Sequence, residues 1–182
     1  MDRTALLVMD VQNGIVERFA NDPGYLDRLA AAIAKARAAE IPVIYVTIGF
    51  RLGHPEISAR NKSFSALMAA GGYTHDDPAT EIHPAVAPQP GDVVVVKRRV
   101  SAFTGSDLEV VLRGLGIGTL VLTGIATSGV VLSTLRQAAD LDYQLAVLSD
   151  ACLDSDPEVH RVLTEKVFPR QADIRPVADW QP

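Results

Sequence analysis

The feature that most constrains this chain is a set of short apolar runs with no polar residue on either face. "TALLVMD" (Thr4 to Asp10), "PVIYVTI" (Pro42 to Ile48), "DVVVVK" (Asp92 to Lys97), "TLVLTG" (Thr119 to Gly124) and "QLAVLSD" (Gln144 to Asp150) each read as a buried strand. An antiparallel sheet with one wet face would alternate apolar and polar residues. Continuous runs instead indicate strands covered on both faces, as in parallel sheets. Helical stretches separate most of them. "YLDRLAAAIAKARAAE" (Tyr25 to Glu40) carries Leu26, Leu29, Ile33 and Ala36 at helical spacing. "SDLEVVLRGLG" (Ser106 to Gly116) has a capping serine and a closing glycine. "DPEVHRVLTEKVF" (Asp156 to Phe168) has Asp156 as N-cap and Pro157 at the first helical position. "ADI" (Ala172 to Ile174) is a candidate sixth strand. The pattern predicts an α/β fold, a parallel sheet sandwiched between helices in a single domain over 1–182.

In such sheets ligands bind beyond the carboxyl ends of the strands. That directs attention to Asp10, to Ile48 through Phe50, to Lys97, to the turn from Gly124 to Val130, and to Asp150. The segment from Gly49 to Gly91 breaks the rhythm, with one helical stretch amid polar loop. It reads as a flap over the site, an oligomer contact or a surface insertion.

Composition narrows the partners. The 182 residues are 48% hydrophobic and 21% charged, with a formal net charge of -5. An acidic balance argues against nucleic acid and anionic membrane, which reward clustered Lys and Arg. No apolar run reaches membrane-spanning length. The N-terminus begins with an acidic residue, Asp2, and runs into a strand, so no signal peptide is expected. The single cysteine, Cys152, allows no internal disulfide and suits a cytoplasmic location.

Asp10 ends the first strand, where partial desolvation raises a carboxyl pKa unless a cation is near. Alone it is as well explained as a hydrogen-bond acceptor for the next loop. Lys97 ends the third strand and would tune Asp10 for acid or base work if both lean into one crevice; alone it would snorkel to solvent. The Gly124–Val130 turn opens a helix whose N–H groups suit a developing oxyanion. Gln12, Phe19, Phe50, Arg98 and Phe103 are candidate pocket residues. Arg98 and Arg99 suit an anionic substrate or are simply solvated. Cys152 reads as a buried small hydrophobe before it reads as a nucleophile. His54, His75, His83 and His160 have no spacing that fixes a metal, and none is proposed.

Together these pieces resemble the isochorismatase-like (cysteine hydrolase) superfamily. "ALLVMDVQNG" matches its first-strand aspartate motif, and "VVVVKRRVSAFTGSDLEVVL" its lysine motif. "LVLTGIATSGVVLSTLRQAADLDYQLAVLSDAC" matches the segment that usually carries the nucleophilic cysteine. The resemblance covers nearly the whole chain. It implies a three-layer α/β/α sandwich, Rossmann-like, with a six-stranded parallel sheet in the order 3-2-1-4-5-6, and a homo-oligomer, dimer or tetramer. It implies Asp10 as acid/base with Lys97 as its partner, and a cis peptide between Ile125 and Ala126 that aims N–H groups at a substrate oxygen. In that order strands one and three lie roughly 10 Å apart, a gap a lysine stem largely covers.

The same resemblance places Val130 where the nucleophilic cysteine belongs. Valine has neither a nucleophile nor a proton to give, so the acyl-enzyme route is closed there. Ser128 and Ser133 have no base in sequence reach. Isochorismatases also lack the cysteine, with glycine in its place, and cleave a vinyl ether through an acidic aspartate. They tend to carry an aromatic residue where this chain has Ala126. The Asp-x-His that nicotinamidases use for metal is missing from "TIGFRLGH" (Thr47 to His54), and no cofactor is expected. Three readings follow, in this order. The first is a small-molecule hydrolase using an Asp10–Lys97 pair on a vinyl ether or C–N bond. The second is a catalytically silent protein that keeps the pocket and binds a small molecule or an oligomeric partner. The third is a hydrolase using Cys152.

Overall fold

A computed structural model describes residues 3–19 and 22–182; Asp2 lies outside them. Six strands form one all-parallel sheet: β1 (Arg3–Met9), β2 (Val43–Ile48), β3 (Val93–Lys97), β4 (Ile117–Ile125), β5 (Gln144–Leu153) and β6 (Asp173–Arg175). Their spatial order is β3-β2-β1-β4-β5-β6. The chain starts in the middle and adds strands to one side, then returns to build the other. The β1–β4 boundary is therefore where the winding reverses, the place where such sheets open a crevice.

The helices are α1 (Asn13–Arg18), α2 (Tyr25–Ala38), α3 (Lys62–Ala70), α4 (Leu108–Gly114), α5 (Leu132–Asp140) and α6 (Pro157–Val162). Alternate strand residues feed two separate cores. Leu6, Val8 and Tyr45 pack with Leu29, Ile33 and Ala36 of α2. Leu7, Met9, Ile44 and Val46 pack with Leu108 and Leu112 of α4 and Leu135 and Ala138 of α5. The period-two alternation of side chains across a strand is what divides them. Truncating any of these buried leucines to alanine costs about 2–5 kcal/mol.

Several details differ from the sequence expectation. The edge strand β3 is only partly covered, with Val94 46% exposed, because it has a neighbour on one side only. β5 runs three residues beyond Asp150, so Cys152 lies inside a strand, paired with Gly124. The helix expected from Asp156 begins as expected, with Asp156 accepting from the Glu158 N–H at 2.8 Å. It then loosens into a π-type turn over Leu163–Val167 and a tight turn over Phe168–Arg170. The short helix α1 gave no sequence signal.

Two backbone features shape the sheet's carboxyl end. Asp10 has φ +57°, left-handed backbone that is uncommon outside glycine. Gly124 has φ +132°, and a Cβ there would sit 2.1 Å from the Met9 carbonyl oxygen. Only glycine lets β4 approach β1 that closely. Among the described residues no helix is long and apolar enough to cross a membrane.

Candidate active site

Asp10 and Lys97 meet although their strands are not neighbours. Lys97 Nζ lies 2.9 Å from Asp10 Oδ2, and its stem spans the intervening strand β2. Lys97 is 1% exposed and Asp10 6%. Lys97 Nζ also donates to the Arg99 carbonyl at 2.9 Å, so the ammonium is fixed from two directions. Asp10 Oδ1 is buried and has no hydrogen-bond partner among the described residues. Burial pushes the Asp10 carboxyl above its usual range, and the Lys97 charge and hydrogen bond oppose the rise. The result is a carboxyl with one oxygen tied to a cation and the other unengaged.

A cavity of about 200 Å³ opens beside the pair. Asp10, Lys97, Ile48, Phe19, Arg18 and Val130 are among its lining residues, with Phe64, Leu67 and Tyr73 from the long segment after β2. That segment folds back through a parallel bridge between Phe50 and Thr74: the Phe50 N–H donates to the Tyr73 carbonyl at 2.9 Å, and the His75 N–H to the Phe50 carbonyl at 3.0 Å. Residues of the 49–91 segment thus form one wall of the cavity.

The turn after β4 forms another wall through Ile125, Ala126, Gly129 and Val130. The Ile125–Ala126 peptide is cis. Residues Thr127–Val131 make a wide π-type turn before α5. It is pinned from outside: the Ser128 N–H donates to Asp154 Oδ2 at 2.7 Å, and Thr127 Oγ1 lies 2.8 Å from His160 Nδ1. The Gly129 and Val131 N–H groups donate to the Ala126 carbonyl. Three of the turn's N–H groups, those of Ser128, Gly129 and Val131, are thus committed within the protein. The other support is Thr134 on α5, whose hydroxyl accepts the Ala102 N–H at 2.9 Å. Ser101 Oγ donates to Gln137 Oε1 at 2.7 Å. These bonds tie the loop after Lys97 to the helix after Val130.

Four residues expected in the pocket do not line it. Gln12 is fully buried and clamps the end of β2: it donates to the Ile48 carbonyl at 2.9 Å, accepts the Ile48 N–H at 2.8 Å and donates to the Thr80 carbonyl at 2.8 Å. Phe50 points into the core, its ring 5.8 Å from that of Phe64. Arg98 turns towards Glu56 (3.4 Å) and His75 (3.3 Å). Phe103 lies on the opposite face of the sheet beside Tyr143. Sequence proximity to Asp10 and Lys97 does not say which way a side chain points.

The sequence reading missed Arg18, Phe64, Leu67 and Tyr73. Arg18 and Tyr73 sit where no periodic pattern points, and Phe64 and Leu67 sit on α3, whose stretch reads as helical but not as facing the site. Cys152 packs with Met9, Leu122 and Val147, away from the cavity lining, and burial pushes its thiol up to about 12. At neutral pH it is a buried thiol, not a thiolate. Of the histidines, His54 bonds the Gly72 carbonyl and His83 the Ala85 N–H. Among the described residues no three His, Cys, Asp or Glu side chains are grouped to hold a metal.

The chain's sequence and its 3-2-1-4-5-6 sheet are shared with known proteins. The isochorismatase domain model matches residues 4–179. The isochorismatase family protein YecD of Escherichia coli O157:H7 is 34% identical over 183 residues, covering 97% of this chain and 93% of YecD. The ureidoacrylate amidohydrolase RutB of Pseudomonas syringae pv. syringae is 36% identical over 186 residues, covering 85% of this chain and 72% of RutB. An isochorismatase family protein from Burkholderia thailandensis superposes with a TM-score of 0.83 at 32% identity, over 98% of this chain and 93% of that one. N-carbamoylsarcosine amidase from Thermoplasma acidophilum superposes at 0.80 and 25% identity, over 99% of each chain. The chain belongs to the isochorismatase family of hydrolases.

Proposed function

We propose that this chain is a small-molecule hydrolase that uses Asp10 and Lys97 without a cysteine nucleophile. The observation that carries the reading is the asymmetry of Asp10. One oxygen is held by Lys97 at 2.9 Å, while the other is buried without a partner among the described residues, in a side chain that lines the cavity. An unpaired buried acceptor is costly, and a substrate group that shares a proton with it removes that cost.

The raised Asp10 pKa favours a protonated carboxyl as general acid. On a vinyl ether, Asp10 gives its proton to the vinyl carbon and leaves an oxocarbenium ion. Water adds to that ion and gives up a proton to the Asp10 carboxylate, and the hemiketal collapses to a carbonyl and an alcohol. Lys97 stabilises the carboxylate left behind. On a C–N bond, ionised Asp10 takes a proton from the attacking water and returns it to the leaving nitrogen. The names of RutB and of the carbamoylsarcosine amidase favour the C–N bond; the residue at the resemblance's cysteine position favours the vinyl ether. Val130 is 2% exposed and presents only methyl groups to the cavity.

That same valine favours a second reading, a silent protein that binds a small molecule in the retained pocket. Mass spectrometric product detection separates the two. Protein and its Asp10→Asn variant are incubated with isochorismate, ureidoacrylate and a panel of small amides. Turnover that falls by about 10²-fold or more in the variant is expected. No turnover by the unmodified protein on any of them would overturn the hydrolase reading.

A further inference from the structure

The cavity beside Asp10 carries three charged side chains, Asp10, Arg18 and Lys97. Two are occupied with each other. Arg18 is not: its Nη2 donates to the Tyr73 hydroxyl at 2.8 Å and its Nε to the Gly14 carbonyl at 3.3 Å. It has no carboxylate partner among the described residues. Arg28, Arg37 and Arg98 are matched to Asp22, Asp92 and Glu56, whereas Arg99, like Arg18, bonds only uncharged oxygens, in its case the Arg98 and Glu56 carbonyls, and does not line the cavity. Even with Asp10 ionised, the cavity therefore holds one cation in excess. A guanidinium left without an acid at the edge of an apolar cavity favours an anion there, and the fork geometry suits a carboxylate.

Tyr73 extends the same site. Its hydroxyl accepts from Arg18, which leaves its own proton to donate. Burial pushes the phenol pKa up, against the pull of Arg18, so the proton stays on at neutral pH. Tyr73 and Arg18 line the same cavity as Asp10. The remaining wall is apolar, with Ile15, Phe19, Phe64, Leu67 and Val100.

We propose that Arg18 and the Tyr73 hydroxyl form an anchor for a carboxylate on the substrate, so that the cavity selects small monocarboxylates with an apolar body. This rests on the cavity being the substrate site, as proposed above. Arg18 is a specificity residue: it holds the anionic end while the reacting bond lies over Asp10.

The test is calorimetric binding of two probes of equal shape, benzoate and benzamide, to the full chain and to Arg18→Gln, Arg18→Lys and Tyr73→Phe. Arg18 is exposed at the end of α1, and thermal melts check that each variant folds. The expected result is saturable benzoate binding that weakens by about 10- to 100-fold in Arg18→Gln. Benzamide should bind both proteins alike, with Arg18→Lys intermediate for benzoate because it keeps the charge and loses the fork. Tyr73→Phe should weaken benzoate less than Arg18→Gln does. An equal loss for both probes, an unchanged benzoate affinity, or no saturable benzoate binding to the unmodified protein would overturn the proposal. Binding needs no turnover, so discrimination without catalysis would sink the hydrolase reading alone. Catalysis without discrimination would sink the anchor alone.

Discussion

Lys97 Nζ stands 2.9 Å from Asp10 Oδ2, each side chain reaching from the end of a strand that does not touch the other's. The pair is closed to solvent, and its carboxyl holds a proton more tightly in the fold than in the open chain.

That difference sets a pH dependence of stability. A carboxyl with a raised folded pKa stabilises the fold fully below its unfolded value, near 3.8. The contribution is lost as pH rises from there through the folded value. Asp10→Asn removes the group that titrates. The stability of Asp10→Asn relative to the unmodified protein should therefore climb as pH rises from about 4 through the folded value, with a slope of at most about 1.4 kcal/mol per pH unit. Paired thermal melts across that range measure it. A gap that narrows as pH rises would contradict the assignment.

Cys152 should behave as packing. Its thiol, pushed up to about 12 by burial, is shielded inside β5. Alkylation by iodoacetamide at pH 8 should be at least about 10²-fold slower in the native protein than in denaturant. Cys152→Ser should cost about 1–3 kcal/mol of stability by burying a hydroxyl and leave any turnover intact. Rapid native labelling accompanied by loss of activity would restore the cysteine reading.

Thr134 carries the strut between the two halves of the site. Thr134→Val keeps the shape but removes the acceptor of the buried Ala102 N–H. A loss of about 1–3 kcal/mol is expected on chemical denaturation. Turnover should fall with it, since the loop from Lys97 and the turn at Val130 lose their common tie. Unchanged stability would mean that Ala102 finds another acceptor.

Much of this was legible in the sequence, for physical reasons that can be stated residue by residue. Asp10 and Lys97 each close an unbroken apolar run, and that run marks a strand end whether the strand is buried on both faces, as β1 is, or partly exposed at the edge, as β3 is. The sheet order followed from the family resemblance, and so did their pairing. Arg18 and Tyr73 were not legible. Arg18 sits on a helix of 6 residues, too short to show a period. Tyr73 reaches the cavity only because 49–91 doubles back to pair with Phe50, and that contact is decided by tertiary packing. Gln12 and Phe103 show the converse error. Both lie within a few residues of the acid or the lysine, yet Gln12 clamps β2 and Phe103 faces the other core.

The lysine's long reach across β2 has an architectural consequence. β3 is the outermost strand on its side, held by one neighbour. The acid and its partner therefore belong to different depths of the sheet, one central and one peripheral. Peeling away the margin alone, with the central strands still assembled, would strip Asp10 of its cation and extinguish the site. The charge pairing of the pocket thus depends on the border strand as much as on the centre of the sheet.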